Sequence, residues 1–118
     1  MSDVTMAFGA TLQSGATATG NGTAMDVGGL AVAGLQVTGI TTATITFEGT
    51  VDGSNWVAVR ALNLGTGAVG TTATADGVFE VPVAGLSQLR ARISAYTTGT
   101  ITVVGKGVVN GPGMALTV

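Results

Sequence analysis

The sequence predicts an all-β protein, an antiparallel β-sandwich of jelly-roll type with extended N- and C-terminal arms. Apolar and polar residues alternate with a period of two over several short runs, which is typical of half-buried antiparallel strands. Gly-rich and Asp-Gly turn signals separate these runs, and no window shows the 3.6-residue periodicity of an amphipathic helix. Short strands with frequent turns are typical of sandwiches and barrels, here with roughly seven to nine strands.

The clearest strand is residues 42–51, where Ala43, Ile45, Phe47, Gly49 and Val51 alternate with polar residues. One face of this strand is therefore predicted to lie on the core and the other on solvent, with Glu48 on the solvent side. Further predicted strands occupy residues 35–39, 78–83, 88–96 and 100–105.

Two of these strands carry specific expectations. In residues 88–96, Leu89, Ala91, Ile93 and Ala95 are predicted to face the core. In residues 78–83, Phe79, Val81 and Val83 are predicted to do so. Pro82 cannot donate a ladder hydrogen bond, so the second of these strands is predicted to end there or to lie at a sheet edge.

The two ends of the chain are apolar at strand spacing, whereas loose termini are normally polar. Val4, Met6 and Phe8 alternate near the start, and Met114, Leu116 and Val118 follow a Gly-Pro-Gly break near the end. They could be outer strands of the same sandwich, or arms that add a strand to a neighbouring subunit. The predicted organisation is an N-terminal arm or edge strand at 1–25, a sandwich domain at 26–107 and a C-terminal arm at 108–118.

The composition favours assembly. Charged residues make up only 8% of the chain, where about 25% is usual. A free monomer normally uses surface charge to stay soluble, and charged residues are depleted at the centres of interfaces. We therefore expect much of this surface to be covered by other subunits.

Several classes of function are disfavoured by the same numbers. Four basic residues in a chain of net charge -2 are too few for a surface that follows nucleic-acid phosphates. No apolar stretch reaches the roughly 20 residues that span a bilayer. The N-terminus lacks a basic region followed by an apolar run, so we expect no signal peptide and a protein made in a cytoplasm.

Catalytic and metal-binding motifs are also absent from the sequence. The chain has no His and no Cys, which excludes a Ser-His-Asp triad and the usual zinc ligands. Asp52 and Asp76 lie in Asp-Gly pairs, where they are expected to serve turn geometry. Gly65 to Gly70 match G-x-G-x-x-G, but no helix follows, so we interpret this stretch as a loop between strands. We expect no enzyme activity and no cofactor.

The hairpin Asp52-Gly53-Ser54-Asn55 is followed by Trp56, the single tryptophan of the chain. Strict alternation would place the indole outside the core, where it could stack on a sugar or anchor an interface. A small irregularity would instead return it to the edge of the core. Both alternatives stay open from the sequence.

Four motifs in this chain resemble a module that recurs in tailed-phage virion proteins. They are Phe47-Glu48-Gly49, the Asp52-Gly53 turn with Trp56, residues 77–86 and residues 90–103; the resemblance extends over residues 45–107. It implies a small β-sandwich of a head-decoration, tail or baseplate protein, and it brings no catalytic motif.

The leading hypothesis is therefore a virion protein that decorates or cements the capsid by binding copies of itself, as a trimer, and the major capsid protein. A tail or baseplate component, and a carbohydrate-binding attachment module that uses Trp56, are the alternatives. The residues predicted to form interfaces are Val4, Met6, Phe8, Leu12, Trp56, Met114, Leu116 and Val118.

Overall fold

A computed structural model describes residues 8–109 of the chain, and all regular secondary structure in this part is β. Nine strands form one antiparallel sheet, which confirms the predicted fold class. The strands are β1 (Phe8–Ala16), β2 (Met25–Asp26), β3 (Val32–Thr50), β4 (Val57–Ala58), β5 (Ala61–Asn63), β6 (Val69–Gly70), β7 (Thr72–Ala73), β8 (Gly77–Pro82) and β9 (Gln88–Val108).

Two long strands form the frame of the sheet. β3 has 19 residues and β9 has 21, and they pair antiparallel from Val32–Val108 to Thr50–Gln88. The ribbon bends in its middle, where the register shifts several times between Thr38 and Ile45.

The bend depends on two glycines in the left-handed region, Gly39 with φ of 87° and Gly99 with φ of 131°. A Cβ at Gly39 would collide with the carbonyl oxygen of Thr100, so no other residue fits there without a backbone shift. The Asp76 carboxylate accepts hydrogen bonds from the backbone N–H groups of Gly39 (3.1 Å) and Ile40 (2.8 Å). Asp76 thus satisfies donors that the bend removes from the ladder.

Because the ribbon bends, the sheet folds back on itself as two layers. The first half of β3 pairs with β8, and the second half pairs with β7 and β4. Phe47 of the second half contacts Phe79 of β8 across the core, with ring centroids 5.2 Å apart. The hydrogen-bonded order β1-β9-β3-β8-β5-β6 is one continuous path, and it does not confirm a jelly roll, which consists of two Greek keys.

The alternation predicted from the sequence is confirmed over most of the core, which is built from aliphatic side chains and two phenylalanines. Phe47, Val81 and Leu89 have no exposed surface, whereas Pro82 is exposed and ends β8 as predicted. The largest fully buried side chains are Phe47, Leu12, Leu35, Ile45, Leu89, Ile93, Ile101, Val27, Val37, Val81, Val83 and Val103.

Two residues predicted to be buried are exposed instead. Ala95 pairs with Thr44 while Ile93 pairs with Ile45, so Ser94 is an extra residue on β9 and Ala95 turns outward. Val51 is 70% exposed because β3 ends at Thr50 and the alternation ends with it.

The N-terminal part of the described chain lies in the same sandwich. β1, at residues 8–16, pairs with β9 at the edge of the sheet. Gln13 is buried and donates from Nε2 to the carbonyl oxygens of Ala91 (2.8 Å) and Gly20 (3.2 Å). β1 and β2 both pair with β9, so residues on both sides of position 26 lie in one sheet. No helix in residues 8–109 is long and apolar enough to cross a membrane.

Candidate functional site

The turn after β3 is organised by Asp52. Its carboxylate accepts hydrogen bonds from the backbone N–H groups of Ser54 and Asn55, both at 2.8 Å, and from the side chains of Asn55 and Thr50. These bonds, with those from Asn55 first, hold the pKa of Asp52 well below its usual range. The carboxylate serves the geometry of the turn, as its Asp-Gly context predicts.

Trp56 leaves this turn and lies half-buried beside β9. The guanidinium carbon of Arg90 lies 4.1 Å from the centroid of the indole ring, a cation–π contact that covers one face of the ring. The sequence left open whether the Trp56 ring is exposed or returns to the edge of the core. The structure places the ring outside the core but packed on the side chain of Arg90.

Arg90 is in turn held by Glu48. Arg90 approaches the Glu48 carboxylate at 2.8 Å and Arg92 approaches it at 3.1 Å, so one carboxylate pairs with two guanidinium groups. Glu48 on β3 thus pairs across strands with two arginines of β9. The expectation of a solvent-exposed Glu48 is wrong, because its residue is only 8% exposed. We call Glu48, Trp56, Arg90 and Arg92 the Trp56 cluster.

An apolar groove lies next to the same turn, at the end of the sandwich opposite the bend. It has a volume of about 490 Å³ and is lined chiefly by Val51, Val57, Val59 and Leu86. Val51 is 70% exposed and Val57 is 65% exposed. Leu86 packs over Gly49, where an added Cβ would lie 2.7 Å from a Leu86 methyl group, so the glycine gives Leu86 its place.

The alternation of the sequence did not predict a groove at these residues. Val57 and Val59 follow Trp56 with apparent strand spacing, and such valines are usually core residues. Only the end of β3 at Thr50 turns Val51 outward, and this end could not be located from alternation alone.

Most of the charged side chains in residues 8–109 are engaged within the subunit. The Glu48 carboxylate pairs with Arg90 and Arg92, Asp52 and Asp76 accept backbone hydrogen bonds, and Asp26 accepts a hydrogen bond from the side-chain amide of Gln88. The remaining charges in this part of the chain are Arg60, Glu80 and Lys106.

The structure locates only two of the predicted interface residues. Trp56 is partly exposed in the cluster described above. Leu12 is 1% exposed and packs against Gly105 inside the core, so it is not available to a partner. Val4, Met6, Met114, Leu116 and Val118 lie outside the described residues, as does the side chain of Phe8.

The acidic side chains at this end of the molecule are engaged by neighbouring donors within the subunit. No group of three or more acidic side chains within residues 8–109 is arranged to hold a metal ion. The Glu48 carboxylate is occupied by two guanidinium groups, and the Asp52 carboxylate by turn donors. What the arrangement presents to a partner is an apolar groove beside a rigid turn.

Comparison with known proteins gives two related structures. The crystal structure of the PBSX exported protein XepA matches with a TM-score of 0.82 and 18% identity over 86% of this chain and 37% of that chain. The chain thus spans little more than a third of that protein. The SPBc2 prophage-derived protein YomS matches with a TM-score of 0.75 and 19% identity over 91% of this chain and 98% of that chain.

At these identities the structural matches establish the fold. No curated protein matches the sequence. The model of the XepA family matches residues 6–107, which is most of the chain, and the chain therefore belongs to the XepA family.

Proposed function

We propose that this chain is a phage structural protein that acts through protein–protein contacts, as a decorating or cementing subunit of the virion. The observation that carries this proposal is the apolar groove beside the Asp52 turn, on a surface with few free charges. Exposed valines around a groove are the kind of surface that a partner covers. The match to a prophage-derived protein supports a phage origin.

In this proposal the mechanism is mechanical. The rigid turn held by Asp52 and the Trp56 cluster presents Val51 and Val57 to a neighbouring subunit. Burying two such side chains contributes about 1.5–3 kcal/mol each at most, which is weak for a single contact. Repeated over many copies in a lattice, weak contacts give high avidity.

The test is incorporation into particles. Phage that lack the gene are complemented with the wild-type chain, with Val57→Asp, or with the matched control Thr97→Asp, an exposed position near the bend at the opposite end. We expect wild-type and control protein on purified particles and a loss of at least tenfold for the groove variant. Equal incorporation of all three would refute the role of the groove.

Immunogold labelling of the same particles distinguishes the sites of assembly. Label on heads supports decoration, and particles with and without the protein are then compared after heating or dilution into low salt. Label on tails supports the tail or baseplate alternative. Equal survival of both kinds of particle would remove the cementing role.

A second candidate is a protein that acts outside the particle, because one matched structure is described as an exported protein. It predicts the chain in the medium after induction and its absence from particles purified on a density gradient. The glycan-binding alternative is less well supported, since Arg90 occupies one face of the Trp56 ring. We also propose that the chain has no enzyme activity, as its sequence predicts.

A further inference from the structure

The apolar groove lies at the same end of the sandwich as the end of β9. The carbonyl oxygen of Val108, the last residue of β9, accepts a hydrogen bond from the backbone N–H of Ala31 (2.8 Å). The carbonyl oxygen of Ala31 accepts one from Val83 (3.0 Å), and that of Val83 accepts one from the groove residue Leu86 (2.9 Å). Each of these three steps spans about 5–7 Å between Cα atoms, so Val108 lies within roughly 20 Å of Leu86.

Residues 110–118 continue from this point and are long enough to enter the groove of their own subunit. An extended chain advances about 3.3 Å per residue, so Met114 reaches roughly 20 Å from Val108 and Val118 reaches roughly 33 Å. The break Gly111-Pro112-Gly113 favours a change of direction between β9 and residues 114–118.

The groove and this segment also agree in chemistry. The groove is lined chiefly by valine and leucine, and Asp52, the charged residue among those that line it, is engaged by donors of its own turn. Residues 110–118 contain no charged side chain. In an extended segment Met114, Leu116 and Val118 would point to one side and Thr117 to the other, so one side of the segment is apolar.

The chain that precedes β1 fits the groove less well. Phe8 also lies at this end, since it pairs with Gly107, but β1 is one strand further from β8 than β9 is. Three strand spacings, about 14 Å, separate β1 from β8 alone, and Leu86 lies beyond β8. Val4 and Met6 are within four residues of Phe8 and reach only about 13 Å from it.

We propose that residues 110–118 fold back and cover the apolar groove of their own subunit, with Met114, Leu116 and Val118 against Val57 and Leu86. Because the segment is tethered to β9, its effective concentration at the groove is in the millimolar range, and docking needs no second copy. The docked segment covers the valines that the proposed assembly uses, so a partner has to displace it.

This role in assembly rests on the proposed function, whereas docking is measured on the purified chain, so the two can fail separately. The sequence has no cysteine, which allows single introduced thiols to report on the groove. Val57→Cys places a thiol at the groove, and Thr97→Cys places one near the bend as a reference site. Each is combined with Leu116→Asp, which puts a charge on the apolar side of the segment, or with the matched control Thr117→Asp on its other side.

Alkylation by iodoacetamide is measured after circular dichroism shows that each variant is folded. We expect Leu116→Asp to speed alkylation of Val57→Cys by about tenfold, because a carboxylate is costly to bury and the segment leaves the groove. Thr117→Asp should change this rate by less than about twofold, since its side chain points away from the groove. The rate at Thr97→Cys should be the same in every background.

A cross-link identifies the subunit from which the segment comes. Val57→Cys is combined with Leu116→Cys, and the protein is oxidised at a series of concentrations. We expect a disulfide within the monomer, seen as a loss of free thiols without dimer on a non-reducing gel, with a yield that does not depend on protein concentration. The pair of Thr97→Cys with Leu116→Cys should form no such disulfide.

Two results would overturn the proposal. Equal alkylation rates with Leu116→Asp and with Thr117→Asp would show that the segment does not cover the groove. A disulfide found only in dimers, with a yield that rises with concentration, would show that the occupant is the segment of another copy. Docking in the purified chain together with full incorporation of Val57→Asp into particles would support this inference and refute only the role of the groove in assembly.

Discussion

Replacing Glu48 with Gln should destabilise the sandwich and disturb Trp56 at the same time. The Glu48 carboxylate is the common partner of Arg90 and Arg92, and its side chain is 10% exposed. Gln keeps the shape but loses the charge, and its amide nitrogen is a donor that faces guanidinium donors. Both arginines would then lack their anionic partner in a largely covered site.

The size of the loss follows from exposure. A hydrogen bond to a charged group contributes about 1.5–3 kcal/mol, and breaking a fully buried pair costs about 3–5 kcal/mol. The side chain of Arg92 is 36% exposed, so water can solvate it after the change, whereas that of Arg90 is 17% exposed. Solvent screening at Arg92 reduces what the loss of the Arg92–Glu48 pair costs. We expect the free energy of unfolding of Glu48→Gln to fall by about 2 kcal/mol in total.

Urea denaturation followed by circular dichroism measures this change in the free energy of unfolding. For a domain of this size a loss of about 2 kcal/mol lowers the urea midpoint by roughly 1 M or more. Trp56 is the single tryptophan, so its fluorescence reports on the cluster without labelling. We expect the emission of the folded variant to change, because Arg90 is no longer held on the ring.

The matched control is Glu80→Gln, which removes the same charge from an exposed strand residue that has no ion pair within the described chain. It should leave both the midpoint and the emission of Trp56 nearly unchanged. A variant of Glu48 that is no less stable than this control would refute the argument that the cluster stabilises the fold. An unchanged emission would refute the coupling of Glu48 to Trp56 through Arg90.

Three further changes test the core, the bend and the turn. Phe47→Ala should cost about 3–5 kcal/mol in urea denaturation, and Val57→Ala under about 1 kcal/mol, because only the first opens a core cavity. Gly39→Ala should lower Tm by several degrees more than Gly53→Ala. Both glycines have positive φ, but only at Gly39 would an added Cβ collide with backbone atoms, those of Thr100. Because folding lowers the pKa of Asp52, its contribution is complete above about pH 4 and is lost on further acidification. Stability should therefore fall less steeply below pH 4 in Asp52→Asn, and equal slopes would contradict this.

Alternation predicted the strands well where one face is buried along the whole run. Phe79, Val81 and Val83 are all buried, and Leu89, Ala91 and Ile93 are as well. The pattern failed at Ala95, where Ser94 is an extra residue on β9. A bulge reverses the inside and outside of a strand with no signal in the hydrophobic pattern, because it is a property of the pairing of two strands.

The bend could not be predicted from the sequence, for a related reason. Gly39 and Gly99 are two of 20 glycines, and a glycine is informative only when the atoms that face it are known. Here the facing atoms belong to a strand 60 residues away in the chain. The role of Asp76 at this bend was likewise hidden, since an Asp-Gly pair indicates a local turn and gives no sign that the carboxylate reaches β3.

The candidate site shows how the few charged residues of this chain are used within the subunit. The chain has four basic and six acidic residues, a composition that a free monomer could still have displayed outward for solubility. Instead the Glu48 carboxylate pairs with two of the arginines. Asp52 accepts backbone hydrogen bonds at a turn, and Asp76 accepts them at the bend. The Glu48 pairs and the Asp52 hydrogen bonds fix one end of the ribbon, and the Asp76 hydrogen bonds fix the bend at the other end.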